Sequence, residues 1–330
     1  MMPAPSSPRP HRGTWRGAVL LLALCAGVAT VPAGAQAPRH DGSAVAESAF
    51  GSQTFEWFDA ARGRAVPVRL YLPDAASVDR PVPVVVFSHG IGGSRNGYSY
   101  LGRFWASHGY ASLHLQHVGS DRSVWTGNPF EMLGRLQGAA QEDEALNRVH
   151  DLRFALDELL AGSLAPRLDA QRIVAAGHSY GANTVLLASG ANVLREGRSM
   201  PLRDVRIKAA IVLSAPPFYG EAQPQRILGA VDVPSLHVTA TEDIIRIPGY
   251  YSGADDRVAV YEATGGSRKT LAVFEGGSHS MFTDRAGTGG AVLNAQVKEA
   301  TRELSLAFLN SVFHGDDRAL TTWPTQFSGI

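Results

Sequence analysis

Segments of apolar residues alternate along the chain with segments of helical period, and this alternation predicts an α/β fold with a mostly parallel sheet. Residues 82–88 form an unbroken Val/Phe run, which is typical of a strand buried on both faces. A hairpin is predicted over 55–59 and 66–72. Further strands are predicted at residues 111–117, 172–177, 209–213, 235–239 and 270–274, and helices at 98–107, 141–160, 182–193 and 292–313. The pattern gives seven or eight strands with helices on both faces.

Two segments lack this regularity. Residues 119–140 are rich in glycine and carry Trp125, Phe130 and Met132, so we expect them to form a lid or a rim. Residues 315–330 show no periodicity and receive no assignment.

The N-terminus predicts export. Residues 1–17 carry three arginines and no acid, and residues 18–28 are an apolar run that is too short to span a bilayer. This is typical of a secretory signal peptide, with cleavage expected near Ala37. The alternative is an uncleaved anchor helix. We therefore expect a signal peptide over 1–37, a single domain over 38–330 without an integral membrane span, and a periplasmic or secreted location.

Composition narrows the function classes. The chain has 330 residues, 45% of them apolar, with 30 basic and 30 acidic side chains, which is typical of a compact α/β protein. This balance argues against a nucleic-acid partner. The single cysteine, Cys25, lies in the predicted signal peptide, and no His-Glu-x-x-His or comparable ligand spacing occurs. We predict no metal and no cofactor.

A candidate nucleophile lies in Gly177-His178-Ser179-Tyr180-Gly181. This pentapeptide follows the predicted strand 172–177 and opens the predicted helix 182–193. A sharp turn between a strand and a helix holds a serine hydroxyl above the edge of a sheet. The alternative is an ordinary Gly-Ser turn, and the surrounding pattern favours Ser179 as a nucleophile.

A serine nucleophile needs a base and a carboxylate, in the chain order Ser, Asp, His for such a fold. His279 follows the strand predicted at 270–274, and Asp243 follows the strand at 235–239. His279 could instead be a surface loop histidine and Asp243 a turn-forming acid. Glu242 is the neighbour most easily confused with Asp243. We predict the catalytic set Ser179, Asp243 and His279.

Acyl transfer also requires backbone donors for an oxyanion. The N–H of Tyr180, directly after the serine, would supply one donor. The glycine-rich turn 88–93 ends a buried strand and would supply the other from Ile91.

The sequence also predicts where several other residues lie relative to the site. Phe218 is expected either to line a substrate pocket or to pack in the core. His89 is expected to be a structural hydrogen bonder beneath the site. Arg148 and Asp151 are interpreted as a solvated or salt-bridged helix face without a role in chemistry.

Residues 84–92, 106–110 and 177–181 together resemble the platelet-activating factor acetylhydrolases and the bacterial dienelactone-hydrolase-like and cutinase-like polyesterases of the α/β-hydrolase superfamily. The resemblance covers residues 80–285 approximately. It implies an α/β-hydrolase fold and a serine esterase of short-acyl phospholipids or other accessible esters, and it supports Ser179 and Ile91.

The chain departs from these families at three points. The acetylhydrolases place their acid after the strand that follows the nucleophile, where this chain has Ser214, so Asp243 is expected to serve, as in the polyesterases. The polyesterases carry an aromatic residue in the oxyanion loop, where this chain has Ile91. Their disulfides cannot form here.

The predicted function is that of an exported serine carboxylic ester hydrolase with an acyl-enzyme intermediate. Within the same chemistry, the alternatives are an acetylhydrolase or lipase of short-acyl phospholipids and a polyesterase. A catalytically silent binding module is the alternative from another class. The expected partner is a small ester, a phospholipid or a polyester.

Overall fold

The computed structural model describes residues 49–195, 197–247, 250–286 and 288–330. The predicted signal peptide over 1–37 lies outside the described residues. The strands are β1 Phe50–Asp59, β2 Arg64–Pro73, β3 Val82–Ser88, β4 Ala111–Leu115, β5 Leu168–His178, β6 Leu194–Arg195, β7 Arg198–Ser199, β8 Ile207–Leu213, β9 Ser235–Glu242, β10 Ile245–Ile247, β11 Tyr250–Ser252 and β12 Lys269–Ser278. The helices are α1 Ser99–Ser107, α2 Pro129–Ala139, α3 Glu142–Ala161, α4 Tyr180–Ala188, α5 Pro224–Leu228, α6 Ala254–Ala263, α7 Ala291–His314 and α8 Arg318–Gln326.

Eight strands form the central sheet, in the order β1-β2-β4-β3-β5-β8-β9-β12. Strand β2 pairs antiparallel with β1 and with β4, and the remaining neighbours pair in parallel. The predicted α/β fold with a mostly parallel sheet is confirmed, and so is the opening hairpin.

Both faces of the sheet are buried, and β3 shows why its sequence has no polar alternation. Val84 and Val86 point into one apolar cluster, and Val85 and Phe87 point into another. Successive side chains of a strand lie on opposite faces, so a strand covered on both sides is apolar throughout.

Helices cover each face. Leu152 of α3 and Val185 of α4 pack in the first cluster, whereas Trp105 of α1 and Leu304 of α7 pack in the second. Helix α4 ends at Ala188, earlier than the predicted residue 193, because the chain turns at Gly190 with φ +124°.

The C-terminal segment is more regular than its sequence indicates. Helix α8 lies within residues 315–330, which received no assignment from the sequence. Its Trp323 packs edge-on against Phe274, with 6.0 Å between ring centroids, and its Nε1 donates to the Ala300 carbonyl at 2.9 Å. These contacts extend the second cluster.

Residues 119–140 contain a short 3₁₀ helix, Arg122–Trp125, and helix α2. Phe130 is 88% exposed on α2. A role for this segment as a lid or rim stays a prediction. Within the described part of the chain, no helix has the length and apolar character needed to cross a bilayer.

Candidate active site

The carboxyl ends of parallel strands meet at one edge of the sheet, and the predicted site residues follow these ends. Ile91 follows β3, Ser179 follows β5, Phe218 follows β8, Asp243 follows β9 and His279 follows β12. Ligands of open α/β sheets bind at this edge because the loops that follow the strands converge there.

Ser179 lies at a strained turn between β5 and α4. Its φ of +55° and ψ of −124° are unusual for a residue with a side chain. The flanking glycines permit the turn: a Cβ on Gly177 would lie 2.4 Å from the carbonyl oxygen of Gly181, and one on Gly181 would lie 1.9 Å from that of Ser88. The backbone therefore requires both glycines of the pentapeptide.

The structure brings the three predicted catalytic residues into one hydrogen-bonded chain. The Nε2 atom of His279 lies 2.8 Å from Oγ of Ser179, and its Nδ1 atom lies 2.7 Å from Oδ1 of Asp243. An ionised carboxylate only accepts, so Nδ1 carries the proton and Nε2 accepts from the serine hydroxyl. This is the tautomer that a general base for Ser179 requires.

Asp243 is fully buried and has several partners besides His279. Ser214 donates a short hydrogen bond to Oδ2, Thr239 donates to the same atom at 2.8 Å, and Arg257 Nε lies 3.4 Å from Oδ1. Burial alone would raise the pKa of Asp243, but the hydrogen bond and charge of His279, with Arg257 and Ser214, hold it far below its ordinary value. The carboxyl is therefore ionised at neutral pH.

His178 supports the loop that carries His279. Its Nε2 donates to the His279 carbonyl at 2.9 Å, and its Nδ1 accepts from the Tyr98 hydroxyl at 2.8 Å. Burial, with the neighbouring charge of His279, lowers the pKa of His178 to about 3. His178 is therefore neutral and joins Tyr98, at the start of α1, to the loop that carries His279.

The predicted oxyanion donors belong to two segments, Ile91 to the loop after β3 and Tyr180 to the start of α4. Tyr180 is the first residue of α4, so its N–H has no partner within the helix. In the loop after β3, the Gly92 N–H donates to the Ser120 carbonyl and the Gly93 N–H to the Gly90 carbonyl. The Ile91 N–H has no hydrogen bond to the described residues. Ile91, Ser179 and Tyr180 line one cavity.

Arg148 corrects the interpretation of α3 as a solvated face, because its side chain is fully buried. It donates to the His89 carbonyl, to Ser120 Oγ at 2.8 Å and to Thr184 Oγ1 at 3.0 Å. The guanidinium also lies over the Tyr180 ring, 4.5 Å from the centroid. Burial lowers the pKa of Arg148 to about 10, so it stays charged at neutral pH. Arg148 thus joins the two segments that carry the predicted oxyanion donors.

Asp151 is also buried, and only the salt-bridged half of its prediction is correct. Arg64 Nε donates to Oδ1 at 2.8 Å, and His117 Nδ1 lies 3.0 Å from Oδ2. His117 Nε2 in turn accepts from Ser88 Oγ at 3.1 Å. Ser88, His117 and Asp151 are a second array of hydroxyl, imidazole and carboxylate, and all three residues are fully buried.

His89 has the structural position expected for it. Its Nδ1 donates to the Gly90 carbonyl at 2.7 Å, and its Nε2 accepts from the His117 N–H at 3.1 Å. Both ring nitrogens are occupied, which leaves His89 no free atom for acid or base chemistry.

Two cavities share Ser179. The first has a volume of about 510 Å³ and a mainly apolar lining that includes Leu136, Met200 and Phe218. The second has a volume of about 540 Å³ and also contains His279. Phe218 also packs against the first core cluster, so it both lines a cavity and packs in the core, the two alternatives considered from the sequence.

Across the residues that the structure describes, no group of three His, Cys, Asp or Glu could hold a metal ion.

Known proteins resemble this arrangement in fold. A ferulic acid esterase from Streptomyces cinnamoneus superposes with a TM-score of 0.61, at 24% identity, over 83% of this chain and 93% of its own. The chain has the α/β-hydrolase fold. An acylaminoacyl peptidase from Pyrococcus horikoshii superposes with a TM-score of 0.55, at 18% identity, over 77% of this α/β-hydrolase chain and 41% of its own, so this chain spans less than half of that protein.

Sequence comparison adds a partial family match. The profile of the family described as platelet-activating factor acetylhydrolase, isoform II, matches residues 73–131, which include β3 and the glycine-rich turn 88–93. A search of curated proteins finds no match. The partial match and the fold are both consistent with a serine carboxylic ester hydrolase.

Several residues around this site were not predicted from the sequence. Thr239 and Arg257 contact Asp243, and Tyr98 contacts His178, but none of the three belongs to a recognisable motif. Ser214 was visible as a polar residue at the end of a buried strand. Its φ of +52°, which only the structure reveals, marks it as a constrained position.

Proposed function

We propose that the protein is a serine carboxylic ester hydrolase that works through an acyl-enzyme. The observation that carries the proposal is the continuous hydrogen-bonded chain from Ser179 Oγ through His279 to the buried Asp243. A serine hydroxyl alone is a poor nucleophile at neutral pH, and this chain supplies the base that takes its proton.

In the proposed mechanism, Ser179 Oγ attacks the ester carbonyl while His279 Nε2 accepts the hydroxyl proton. The tetrahedral oxyanion is stabilised by the N–H groups of Ile91 and Tyr180, each of which is worth about 3 kcal/mol in comparable sites. His279 then donates the proton to the leaving alcohol. Water, activated by the same imidazole, attacks the acyl-enzyme and releases the acid. Asp243 keeps the imidazole in the required tautomer throughout.

The first cavity has a mainly apolar lining that includes Phe218, which favours a substrate with an apolar group on one side of the ester. Its volume of about 510 Å³ is in the range of small-molecule sites. We assign Phe218 to substrate binding on this basis.

A chromogenic butyrate ester tests the proposal. The wild-type protein should hydrolyse it, and Ser179→Ala should lose the acyl-enzyme and essentially all turnover while keeping the wild-type circular dichroism spectrum. Mass spectrometry after a phosphonate ester inhibitor should find the adduct on Ser179. A folded wild-type protein that neither hydrolyses esters nor forms this adduct would favour the silent binding module.

A phospholipid acetylhydrolase is the second candidate, favoured by the family match over residues 73–131. A panel that contains a short sn-2 acyl phospholipid, a simple ester of the same acyl group and a polyester film would separate the candidates. The acetylhydrolase requires the phospholipid to have the highest kcat/KM.

We also propose that residues 1–37 direct export and are then removed. Expression of the full chain in a bacterium should yield a periplasmic or secreted protein whose N-terminal residue lies near position 38. A full-length product that stays attached to the membrane would instead indicate an anchor helix.

A further inference from the structure

The two cavities at Ser179 differ in charge. Both are lined by Ser179 and Ile91, so a bound ester would extend into one cavity on each side of its scissile bond. The first cavity has a mainly apolar lining with three charged residues, Glu142, Arg195 and Glu221, of which Glu142 lies 3.5 Å from Arg195. Its two acids and one base give it no excess of positive charge. The second cavity has a different lining, which includes His279, several glycines, and polar and charged side chains.

Three arginines line the second cavity: Arg122, Arg246 and Arg285. They come from the 3₁₀ helix of residues 122–125, from strand β10 and from the loop after His279, so three separate segments bring guanidinium groups to one cavity. All three are exposed, and none forms an ion pair with any described residue.

One acid accompanies these three cations. Asp284 also lines the second cavity, and its Oδ2 accepts a hydrogen bond from the Ser99 N–H at 3.0 Å. The lining therefore carries a net charge of about two positive at neutral pH, in a chain whose basic and acidic residues are equal in number. A cleft lined by one sign of charge attracts the opposite charge into it.

We propose that the substrate is an ester with an apolar group on one side and an anionic group, a carboxylate, phosphate or sulfonate, on the other. The apolar group occupies the cavity that contains Phe218, and the anion lies among Arg122, Arg246 and Arg285. Guanidinium groups suit this task because their planar donors match the oxygens of carboxylates and phosphates. The inference rests on the proposed function, because it concerns the substrate of the same serine.

Matched esters test the charge preference. The first pair is 4-(2-carboxyethyl)phenyl butyrate and its primary amide, in which the ethylene spacer keeps the reactivity of the two phenol leaving groups nearly equal. The second pair, phenyl hydrogen adipate and its amide, places the anion on the acyl side. We expect the anionic member of at least one pair to have a kcat/KM about tenfold higher at low ionic strength. The preference should fall several-fold in about 0.5 M salt, because salt shortens the Debye length.

Two further probes test which type of anion, and which sign of charge, the second cavity prefers. A phosphonate in place of the carboxylate asks whether the site prefers phosphate-like oxygens, and a trimethylammonium group in the same position should be disfavoured against the amide. A cation that matches or exceeds the carboxylate would overturn the proposal.

The triple variant Arg122→Gln, Arg246→Gln, Arg285→Gln should bring the ratio of kcat/KM for the anionic ester to that for its amide close to one. The matched control is Arg80→Gln, Arg226→Gln, Arg318→Gln, which removes the same charge from exposed positions that do not line the cavity. The control should keep the preference.

The outcomes separate this inference from the proposed function. Equal kcat/KM values within both pairs, or equal losses in both triple variants, would overturn the anion site and leave the esterase intact. Absence of turnover on every ester by the folded wild-type protein would instead overturn the proposed function itself.

Discussion

The hydroxyl of Ser214 donates a hydrogen bond to the carboxylate of Asp243, although the two residues follow different strands. Ser214 directly follows β8, at the position where the acetylhydrolases that the sequence resembles carry their acid. Here the proposed acid, Asp243, directly follows β9, and Ser214 contacts it. Two adjacent strand ends thus reach the same point behind His279.

This geometry predicts that the acid can be moved. Asp243→Ala should be nearly inactive, because His279 loses the acceptor that fixes its tautomer. Addition of Ser214→Asp to that variant should restore activity by about tenfold or more, since a carboxylate from residue 214 reaches the vacated space and Asp tolerates a positive φ. Ester hydrolysis by the single and double variants measures the effect. A double variant no more active than Asp243→Ala would show that position 214 cannot orient the imidazole.

Replacement of the acid by its amide gives a second prediction. Asp243→Asn should lower kcat by about 10⁴ because the amide can donate to Nδ1 and so favours the unproductive tautomer. Glu242→Gln is the matched control, because Glu242 is the exposed neighbour and should retain kcat within about twofold. A larger loss for Glu242→Gln would show that the wrong carboxylate has been assigned.

Gly181 predicts a failure of packing. A Cβ at this position would lie 1.9 Å from the Ser88 carbonyl oxygen, so α4 would have to move away from the oxyanion loop. Gly181→Ala should cost more than about 4 kcal/mol of stability or prevent folding. Gly138→Ala on α2, where no atom lies within 4 Å of an added Cβ, should instead stabilise the protein by about 0.5–1 kcal/mol. Urea denaturation compares the two variants.

Arg148 predicts a coupled loss of stability and rate. Arg148→Met would leave the His89 carbonyl, Ser120 and Thr184 without their buried donor, at a cost of about 2 kcal/mol or more. It would also remove the link between the His89 carbonyl and the Tyr180 ring, next to the proposed oxyanion donors, so kcat should fall more than KM rises. Arg135→Met, at an exposed position of α2, should change neither by a measurable amount. Steady-state kinetics of the folded fraction at low temperature distinguish the two effects.

Buried histidines predict sensitivity to acid. Burial lowers the pKa of His114, His178 and His237 to about 3 and, with the charge of Arg148, that of His117 to about 4. In the unfolded chain these pKa values return to about 6.5, so the unfolded state binds more protons as the pH falls below that value. Stability should therefore decrease from about pH 6.5 downward, by up to about 1.4 kcal/mol per pH unit for each group.

A variant isolates one of these contributions. His237→Leu should flatten the dependence of the unfolding free energy on pH between about 6 and 4, by up to about 1.4 kcal/mol per pH unit relative to the wild type. Urea unfolding at several pH values gives both slopes. Identical slopes for wild type and His237→Leu would mean that this imidazole is protonated in the folded protein.

Much of the fold follows from local sequence, because strands buried on both faces leave continuous apolar runs such as residues 82–88. The pentapeptide around Ser179 is equally local, since its turn needs glycine at positions 177 and 181 for reasons of backbone contact. The loops that carry Asp243 and His279 could be located because each directly follows a predicted strand.

Burial of charge could not be predicted in the same way. Arg148 and Asp151 are charged residues of the kind that usually lie on an exposed helix face. Only their hydrogen-bond partners on other segments make the burial of these two side chains favourable. Helix α8 was missed for a related reason: its Trp323 is stabilised by Phe274 and Ala300, both distant in sequence. Such features depend on contacts between segments that are distant in sequence, and local periodicity carries no information about these contacts.

The array of Ser88, His117 and Asp151 repeats the connectivity proposed for catalysis, with comparable distances, yet all three side chains have no contact with water. A carbonyl carbon cannot approach Ser88 Oγ, so this hydroxyl should remain inert to covalent serine reagents. Access of substrate therefore distinguishes the two arrays. The buried hydroxyl, imidazole and carboxylate have a structural role, whereas the same chemical groups beside a cavity form a candidate reaction centre.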